Sequence, residues 1–260
     1  MNAELAEVIC LTSHGSLWLS STDPDPPALE RSNSTLQFVN SVNFHVAKNG
    51  HLSRDERQTS VADWLRSRRR AGVEGLSLII SNAPSTGDQP ALAAFANAGQ
   101  WGLAAHSKKR TEFWRPRWAV TNRDAPDRRI WTVNYEGKRV APTAHQRVDL
   151  DEASQTLRDQ LAATATFAED EGLDTWTNWF RNALNGADEI PYHSDMLPSD
   201  YTSAERRVVA MAAQAWVFGG MGSWNDLGFR EPDRQRRYKD LTRALYDAVL
   251  RAFVAGVNRS

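Results

Sequence analysis

Four side chains in the last third of the chain could take part in acid–base or nucleophilic chemistry: His193, Asp195, Ser223 and Asp226. A serine hydroxyl acts as a nucleophile when a histidine accepts its proton and a carboxylate orients that histidine. The residues around Ser223, Gly-Met-Gly-Ser-Trp at 220–224, fall short of the G-x-S-x-G pattern because the last of them is tryptophan. One hypothesis is nevertheless that the chain is a hydrolase that uses Ser223 or His193. The other is that these residues are ordinary polar side chains of loops.

The loop that holds Ser223 is the most distinctive stretch of the sequence. Its apolar run ends at Phe218, three glycines follow within four residues, at 219, 220 and 222, and apolar residues resume at 224. Free N–H groups of such a loop can cradle a polar ligand, and aromatic side chains can form an apolar wall. The predicted ligand-binding residues are Gly220, Gly222, Ser223, Trp224, Asn225 and Asp226. The structural alternative is a tight corner, in which the glycines let two helices approach and the aromatic rings fill the gap.

A second candidate ligand loop covers residues 81–88. It follows the apolar run at 76–80, which we predict to be a strand. Ligands of open α/β sheets lie beyond the carboxyl ends of strands, so Asn82 and Thr86 are predicted binding residues. The loop carries neither of the glycine-rich nucleotide motifs. Ordinary turn chemistry, with Asp88 capping a helix and Pro90 in its first turn, is the alternative.

The basic segment 106–147 suggests a nucleic-acid interface, since it carries 11 Lys or Arg against 4 acidic residues. In the strand predicted at 114–120, tryptophans and arginines alternate, so they lie on opposite faces. The same alternation fits a second interpretation, in which the tryptophans join the core and the arginines are solvated. The predicted phosphate contacts are Arg115, Arg117, Arg128 and Arg129. The arginines at 66–70 close a predicted helix, where they either suit the helix dipole or contact a phosphate or a partner.

Cys10 is the only cysteine and the six histidines are dispersed, so we expect no disulfide, no metal site and no cofactor. Cys10 itself is predicted to be a buried structural residue, because no neighbour in the sequence would lower the pKa of its thiol. No apolar run approaches the roughly 18 residues that span a bilayer. The first 19 residues also lack the regions of a signal peptide. We therefore expect no membrane contact and a cytoplasmic location.

The first half of the chain has the pattern of a mixed sheet with helices. Short β-branched or alternating runs predict strands at 8–11 and 17–19, which would form a hairpin, at 76–80, and at 114–120 and 130–135. The runs at 36–39 and 42–46 predict either two strands or one bent strand. Helices are predicted at 57–70 and 90–98, and the proline-rich stretch 20–34 is predicted to be a loop.

The second half has the pattern of about four helices. They are predicted from 149 or 151 to 169, from 174 to 184, from 202 to 218 and from 232 onward. Residues 46–150 carry 18 basic and 10 acidic side chains and residues 151–200 carry 2 and 11, which indicates a boundary near residue 150. The fold class is thus α+β or α/β. An α/β region at 1–148 is followed by a helical region at 149–260, which packs on it or continues it as one domain.

These observations favour a non-catalytic binding or interaction protein, whose cleft lies between the α/β half and the helical half. The expected partner is a small polar ligand or a protein. Nucleic-acid binding through 106–147 and hydrolysis at Ser223 or His193 are the alternatives. The C-terminal helices could also join copies of the chain into a homo-oligomer.

Overall fold

A mixed sheet occupies the N-terminal half of the chain. The computed structural model describes residues 1–48, 51–52, 57–80, 88–141, 147–185 and 194–259. Its strands are β1 (Val39–Lys48), β2 (His51–Leu52), β3 (Val73–Ile80), β4 (Trp101–Ser107), β5 (Thr111–Val120) and β6 (Trp131–Val140). They lie in the order β2-β1-β6-β5-β4-β3, in which β1 and β6 are parallel and the other neighbours are antiparallel. The expected mixed sheet is confirmed.

Helices form the C-terminal half and also lie before and between the strands of the sheet, so the fold is α+β. In the described residues they are α1 (Ala3–Ser20), α2 (Leu29–Ser32), α3 (Val61–Arg70), α4 (Gln89–Leu92), α5 (Leu150–Asp170), α6 (Asp174–Asn185), α7 (Ser203–Gln214) and α8 (Pro232–Val257). The four helices expected after residue 148 are present. Asp149 caps α5, and Thr202 with Glu205 forms a capping box on α7.

Large apolar side chains share one face of the sheet, which α1 and α3 cover. At its centre Phe44 stacks on Trp64, with ring centroids 4.4 Å apart, and on Tyr135, 4.8 Å apart. Trp114 meets the first two rings edge-on. Trp114 and Trp118 are 1% and 8% exposed, so the prediction that these tryptophans join the core is confirmed.

The hairpin predicted at 8–11 and 17–19 is wrong, because these residues belong to the 18-residue helix α1. Asn2 caps this helix by accepting hydrogen bonds from the backbone N–H groups of Glu4 and Leu5. The helix is buried on nearly every side, including its polar residues, so it has no apolar stripe that would reveal a 3.6-residue period. Cys10 is fully buried, as predicted.

Other boundaries in the first half also differ from the prediction. Of the two alternatives for 36–39 and 42–46, the single strand is the one observed, as β1, but it starts only at Val39, and Leu36 lies in a short 3-10 turn before it. The helix expected from 57 begins one turn later, at Val61, because the Ser60 side chain caps it and Gln58 pairs with Phe44 as a strand residue. The loop expected at 20–34 contains the one-turn helix α2.

The helix predicted at 90–98 is wrong beyond its first turn, because α4 ends at Leu92. Tertiary hydrogen bonds explain the difference. Asn97 has a left-handed backbone (φ 65°), and its N–H donates to Glu4 Oε1 at 2.7 Å. The Asn97 side chain also bonds both the N–H and the carbonyl of Trp118. These bonds hold the segment in turns where local propensity alone would allow a helix.

Buried apolar side chains from Leu5 to Val257 form one cluster, which runs from the sheet into the helical half. α8 packs against α5 and α7 and also contacts β3. At its C-terminal end, the Asn258 side chain accepts a hydrogen bond from Leu78 N–H (2.7 Å) and donates one to the Leu78 carbonyl (2.9 Å). The last helix thereby covers part of the edge of the sheet.

Candidate functional site

The loop at 215–229 is shaped by a buried tryptophan. Trp224 is 0% exposed, and its indole N–H donates to Thr242 Oγ1 at 2.8 Å. Tyr238 donates its hydroxyl hydrogen to the Trp224 carbonyl at 2.6 Å. The Trp224 ring also contacts Phe180 edge-on, at 5.0 Å between centroids. Trp224 therefore fills the space between α6 and α8, as the structural alternative for this loop predicted.

The glycines of the loop do not let two helices approach, so that part of the prediction is wrong. A Cβ on Gly220 or Gly222 would meet no heavy atom within 4 Å, and Met221 between them is fully exposed. Gly222 is needed for its left-handed backbone (φ 83°). The close approach of α7 and α8 is at Gly256, where a Cβ would lie 2.5 Å from Val209 Cγ2. The helix predicted to reach Phe218 ends at Gln214, and 215–218 continue without helical structure.

Ser223 and Asp226 bond within the loop itself. The Ser223 hydroxyl donates to the Gly219 carbonyl at 3.0 Å and accepts from Asn225 N–H at 3.3 Å. The Asp226 carboxylate accepts a hydrogen bond from Gly222 N–H. The Ser223 side chain thus caps a short 3-10 turn at 224–226, and Asp226 at the end of that turn binds the backbone that precedes it.

Asp195 lies with the N-terminal half of the chain. Its carboxylate accepts hydrogen bonds from the N–H and the hydroxyl of Ser34, and its carbonyl accepts one from the Asn33 side chain and contacts His14 Nε2. His193, Asn82 and Thr86 lie outside the residues that the structure describes. Among the described residues, the predicted catalytic group is therefore divided between two places.

The loop at 215–229 contacts the first turn of α4, which directly follows the second predicted ligand loop; of that loop the structure describes only Asp88. Asn225 donates its side-chain N–H to the Pro90 carbonyl at 2.9 Å, across 135 residues of sequence. Beside this bond lies a cavity of about 760 Å³, which we call the α8 cleft. Asp88, Pro90, Asn225 and Leu227 border one part of it, and Ile80 and Trp101 from adjacent ends of β3 and β4 border another.

Two neighbouring ridges of α8 form the rest of the α8 cleft. Residues four apart on a helix lie on one face, so each ridge is a row of side chains with that spacing. One ridge is polar and consists of Gln235, Lys239, Arg243, Asp247 and Arg251. The other is mostly aromatic and apolar and consists of Tyr238, Thr242, Tyr246, Leu250 and Val254. The cleft therefore has an apolar floor beside a charged wall.

The charges on this wall have both signs. Arg251 is paired with Glu152 of α5 at 2.8 Å. Among the described residues, Lys239 and Arg243 have no carboxylate oxygen within 4.0 Å. Burial raises the pKa of the Asp247 carboxyl, and the charge of Arg243 opposes that shift. Burial also raises the pKa of Tyr238 to about 12, so this hydroxyl stays protonated at neutral pH. The two cations are therefore the groups with the most capacity to bind an anion.

A smaller cavity of about 340 Å³ lies on the other side of the loop. It is bordered by the aromatic rings of Trp118, Trp131, Trp216 and Phe218, and by Glu4. Burial raises the pKa of the Glu4 carboxyl, although the hydrogen bond from Asn97 and the charges of Arg115 and Arg117 oppose the shift. The segment from 216 to 227 thus separates an aromatic hollow from the α8 cleft.

The four arginines predicted to contact nucleic acid are spread over β5 and the loop after it. Arg115 is half-buried and donates to the Gly99 carbonyl at 3.2 Å, and Arg117 is exposed on the same strand. Arg128 has a left-handed backbone (φ 61°), and Arg129 donates to the Val39 carbonyl at 3.4 Å. Two of the four guanidinium groups therefore support the backbone of the fold.

The α8 cleft was not predicted from the sequence, because only the apolar stripe of the last helix was considered. The signal that could have found it is the row of polar residues at every fourth position from 235 to 251. The role of Pro90, whose carbonyl binds Asn225, was also not predicted, because a backbone contact across 135 residues leaves no pattern in the sequence.

Comparison of the chain with protein-family models, with curated proteins and with solved structures found no match. No helix in the described part of the chain is long and apolar enough to cross a membrane. The described residues also contain no group of three or more His, Cys, Asp or Glu side chains placed to hold a metal ion. The geometry of the α8 cleft is thus the main basis for a functional argument.

Proposed function

We propose that the chain is a non-catalytic binding protein, whose α8 cleft takes a small polar ligand that carries an anionic group. The observation that supports this most is the cleft itself: about 760 Å³ of space, bordered by both halves of the chain. Cavities of roughly 300–1,000 Å³ are the usual size for small-molecule sites.

The lining of the α8 cleft suggests the chemistry of the ligand. Lys239 and Arg243 would receive its carboxylate or phosphate, because a guanidinium presents a planar fork of donors to such groups. The apolar floor around Tyr246 and Leu250 would contact the body of the ligand. Asp88, Asp240 and Asp247 on the same rim would repel a second anionic group placed near them, which favours a ligand with one anionic end.

The contacts of Ser223 support binding better than hydrolysis. Its hydroxyl already donates to the Gly219 carbonyl, and no histidine contacts it among the described residues. Asn225, two residues later, bonds the backbone of α4 and borders the α8 cleft. The loop at 215–229 would then shape one end of the cleft instead of carrying a nucleophile.

A thermal-shift screen tests the proposal, with dicarboxylates, aromatic carboxylates, sugar phosphates and nucleoside monophosphates as probes. A ligand at about 100 times its Kd stabilises the folded state by about 2.7 kcal/mol, which raises Tm by several degrees. We expect at least one class to do so with the wild type. The Arg243→Gln variant should bind that probe about 10- to 100-fold more weakly, since a charge-assisted hydrogen bond contributes about 1.5–3 kcal/mol.

Arg236→Gln is the matched control, because Arg236 lies on the same helix but is exposed and paired with Asp233 at 3.3 Å. It should bind the probe as the wild type does. A panel without any stabilising probe, or an equal loss of affinity in both variants, would count against the α8 cleft as the binding site.

A further inference from the structure

At the end of the β3–β4 pair opposite the α8 cleft, basic side chains come together from α3, from the turn between β4 and β5, and from β6. β3 begins at Val73, which pairs with Ser107 at the end of β4, and the turn into β5 follows directly. Arg139 of β6 pairs with Glu112 of β5 at the same end. We call this region the basic end and define it by Arg68, Arg70, Lys108, Lys109, Arg110 and Arg139.

One buried carboxylate organises the basic end. Glu112 is 1% exposed, and its two oxygens face three guanidinium groups. Arg68 forms an ion pair with Oε2 and lies over the ring of Trp114, 5.5 Å from its centroid. The Nε atoms of Arg110 and Arg139 lie 3.1 Å and 3.5 Å from Oε1. Among the described residues, one carboxylate thus faces three guanidinium groups, and the six cations of the basic end outnumber Glu112 and its exposed neighbour Glu74.

More guanidinium groups face Glu112 than the burial of its carboxylate requires. Burying Glu112 needs one well-placed partner, and the buried Arg68 is that partner. The side chains of Arg110 and Arg139 are 39% and 36% exposed, so they extend the cluster to the solvent. Guanidinium groups held in place in this way bind phosphate oxygens with less loss of side-chain entropy than mobile ones.

Three further cations extend the cluster along the surface. Arg70 is exposed and ends α3, three residues before Val73, and Lys108 and Lys109 are exposed in the turn between β4 and β5. Lys108 lies 3.6 Å from Glu74, the second carboxylate of this surface. Neighbouring strands are about 4.8 Å apart, so the surface from β6 to β3 is about 14 Å wide. That width matches about four nucleotides at 3.4 Å of rise per strand.

We propose that the basic end binds nucleic acid through its phosphate backbone. The exposed large apolar side chains of the described residues, Phe38, Phe95, Val120, Trp179 and Met221, all lie away from it, so it lacks groups that would insert into a membrane or stack on bases. An acidic peptide could add to the edge strand β3, but Asn258 already bonds the N–H and carbonyl of Leu78 there. The phosphates of a nucleic-acid backbone fit the basic end best, because their binding requires only positive charges at this spacing.

Fluorescence anisotropy with a labelled 24-base-pair DNA duplex tests the proposal over a range of KCl concentrations. We expect the affinity of the wild type to fall steeply with salt, because binding releases counterions. The triple variant Arg70→Gln, Lys108→Gln, Lys109→Gln should bind about 10-fold or more weakly at low salt. Its log–log salt slope should be smaller in magnitude by about 2–3, at about 0.9 per phosphate contact. These three side chains are exposed, so circular dichroism should show an unchanged fold.

The matched control is Arg158→Gln, Arg207→Gln, Arg230→Gln, which removes the same charge from exposed positions of the helical half. It should bind the duplex as the wild type does, and so should Arg115→Gln with Arg117→Gln. Equal losses in both triple variants would overturn the proposal, as would a salt slope near zero. Wild-type binding to phosphatidylserine vesicles or to polyglutamate, without binding to the duplex, would also overturn it.

Discussion

The two ends of the β3–β4 pair carry opposite arrangements of charge. At one end, Lys239 and Arg243 share the rim of the α8 cleft with carboxylates, beside an apolar floor. At the other, three guanidinium groups face the buried carboxylate of Glu112. The eight residues of β3 place these ends about 24 Å apart.

In our proposals, the antiparallel pair of β3 and β4 supports a different kind of recognition at each end. A rim with both signs of charge discriminates between small ligands by the placement of their groups. A surface of one sign attracts a polyanion by charge, so its binding depends on salt. The following changes test whether each end depends on the residues assigned to it.

The largest expected effect is at the cleft end, in Trp224→Ala. This change removes a fully buried ring and its hydrogen bond to Thr242, so the free energy of unfolding should fall by about 4 kcal/mol in urea denaturation. Met221→Ala, three residues earlier and fully exposed, should change it by less than about 0.5 kcal/mol. Similar effects of the two changes would mean that Trp224 does not hold this end together.

At the basic end, Glu112→Gln should lower the free energy of unfolding by about 3 kcal/mol. It removes the charge that holds three arginines, and it leaves Arg68 buried without a counterion. Glu74→Gln is the control, because Glu74 forms an exposed pair with Lys108, and such pairs contribute less than about 1 kcal/mol. If Glu112→Gln proved no more destabilising than Glu74→Gln, the buried cluster would not organise this end.

Glu7 is a buried carboxyl without any of the cations that surround Glu112. It accepts a hydrogen bond from Tyr135 at 2.7 Å, and burial raises its pKa to about 8. Between the unfolded pKa near 4.5 and this folded value, the folded state binds more protons than the unfolded state. The free energy of unfolding should therefore fall as pH rises from 5 to 8, by on the order of 2 kcal/mol.

Urea denaturation at several pH values measures this fall. Glu7→Gln should remove most of it, and Glu136→Gln, an exposed neighbour on β6, should keep it. If the stability of Glu7→Gln depended on pH as that of the wild type does, titration of groups other than Glu7 would have to explain the dependence.

The smallest expected effect concerns the glycines near the cleft end. Gly256→Ala should cost about 1–2 kcal/mol, because the new Cβ would lie 2.5 Å from Val209 Cγ2. Gly220→Ala should cost almost nothing, since a Cβ there meets open space. The difference in Tm between these variants shows which glycine sets the approach of α7 and α8. A larger loss at Gly220 would restore the role first assigned to the loop.

Local patterns predicted the parts of the fold that local interactions determine. The caps of α5 and α7, the start of α8 and the alternation along β5 are all readable within a few residues. α1 was not predictable in the same way, because a helix buried on all sides loses its period. The turns at 93–98 depend on bonds from Asn97 to Glu4 and Trp118, which lie far away in sequence.

The candidate sites were harder to predict from the sequence than the fold, because they depend more on contacts between residues that are far apart in the sequence. The sequence pattern indicated that the loop at 215–229 has a special structure, but it did not show that Asn225 binds the backbone of Pro90 in α4. The basic residues at 66–70 and 106–147 were visible separately. Their meeting at Glu112 joins residues 44 positions apart, which composition and spacing do not show.

The most direct test of the central claim, that the α8 cleft is a binding site separate from the basic end, is one crossed titration. The small probe selected by thermal shift and the DNA duplex are each titrated into the wild type, Arg243→Gln and the basic-end triple variant. We predict that Arg243→Gln weakens binding of the small probe at least 10-fold and leaves duplex binding within about twofold, and that the triple variant does the reverse. Undiminished binding of the small probe to Arg243→Gln, or equal loss of both ligands in either variant, would contradict the claim.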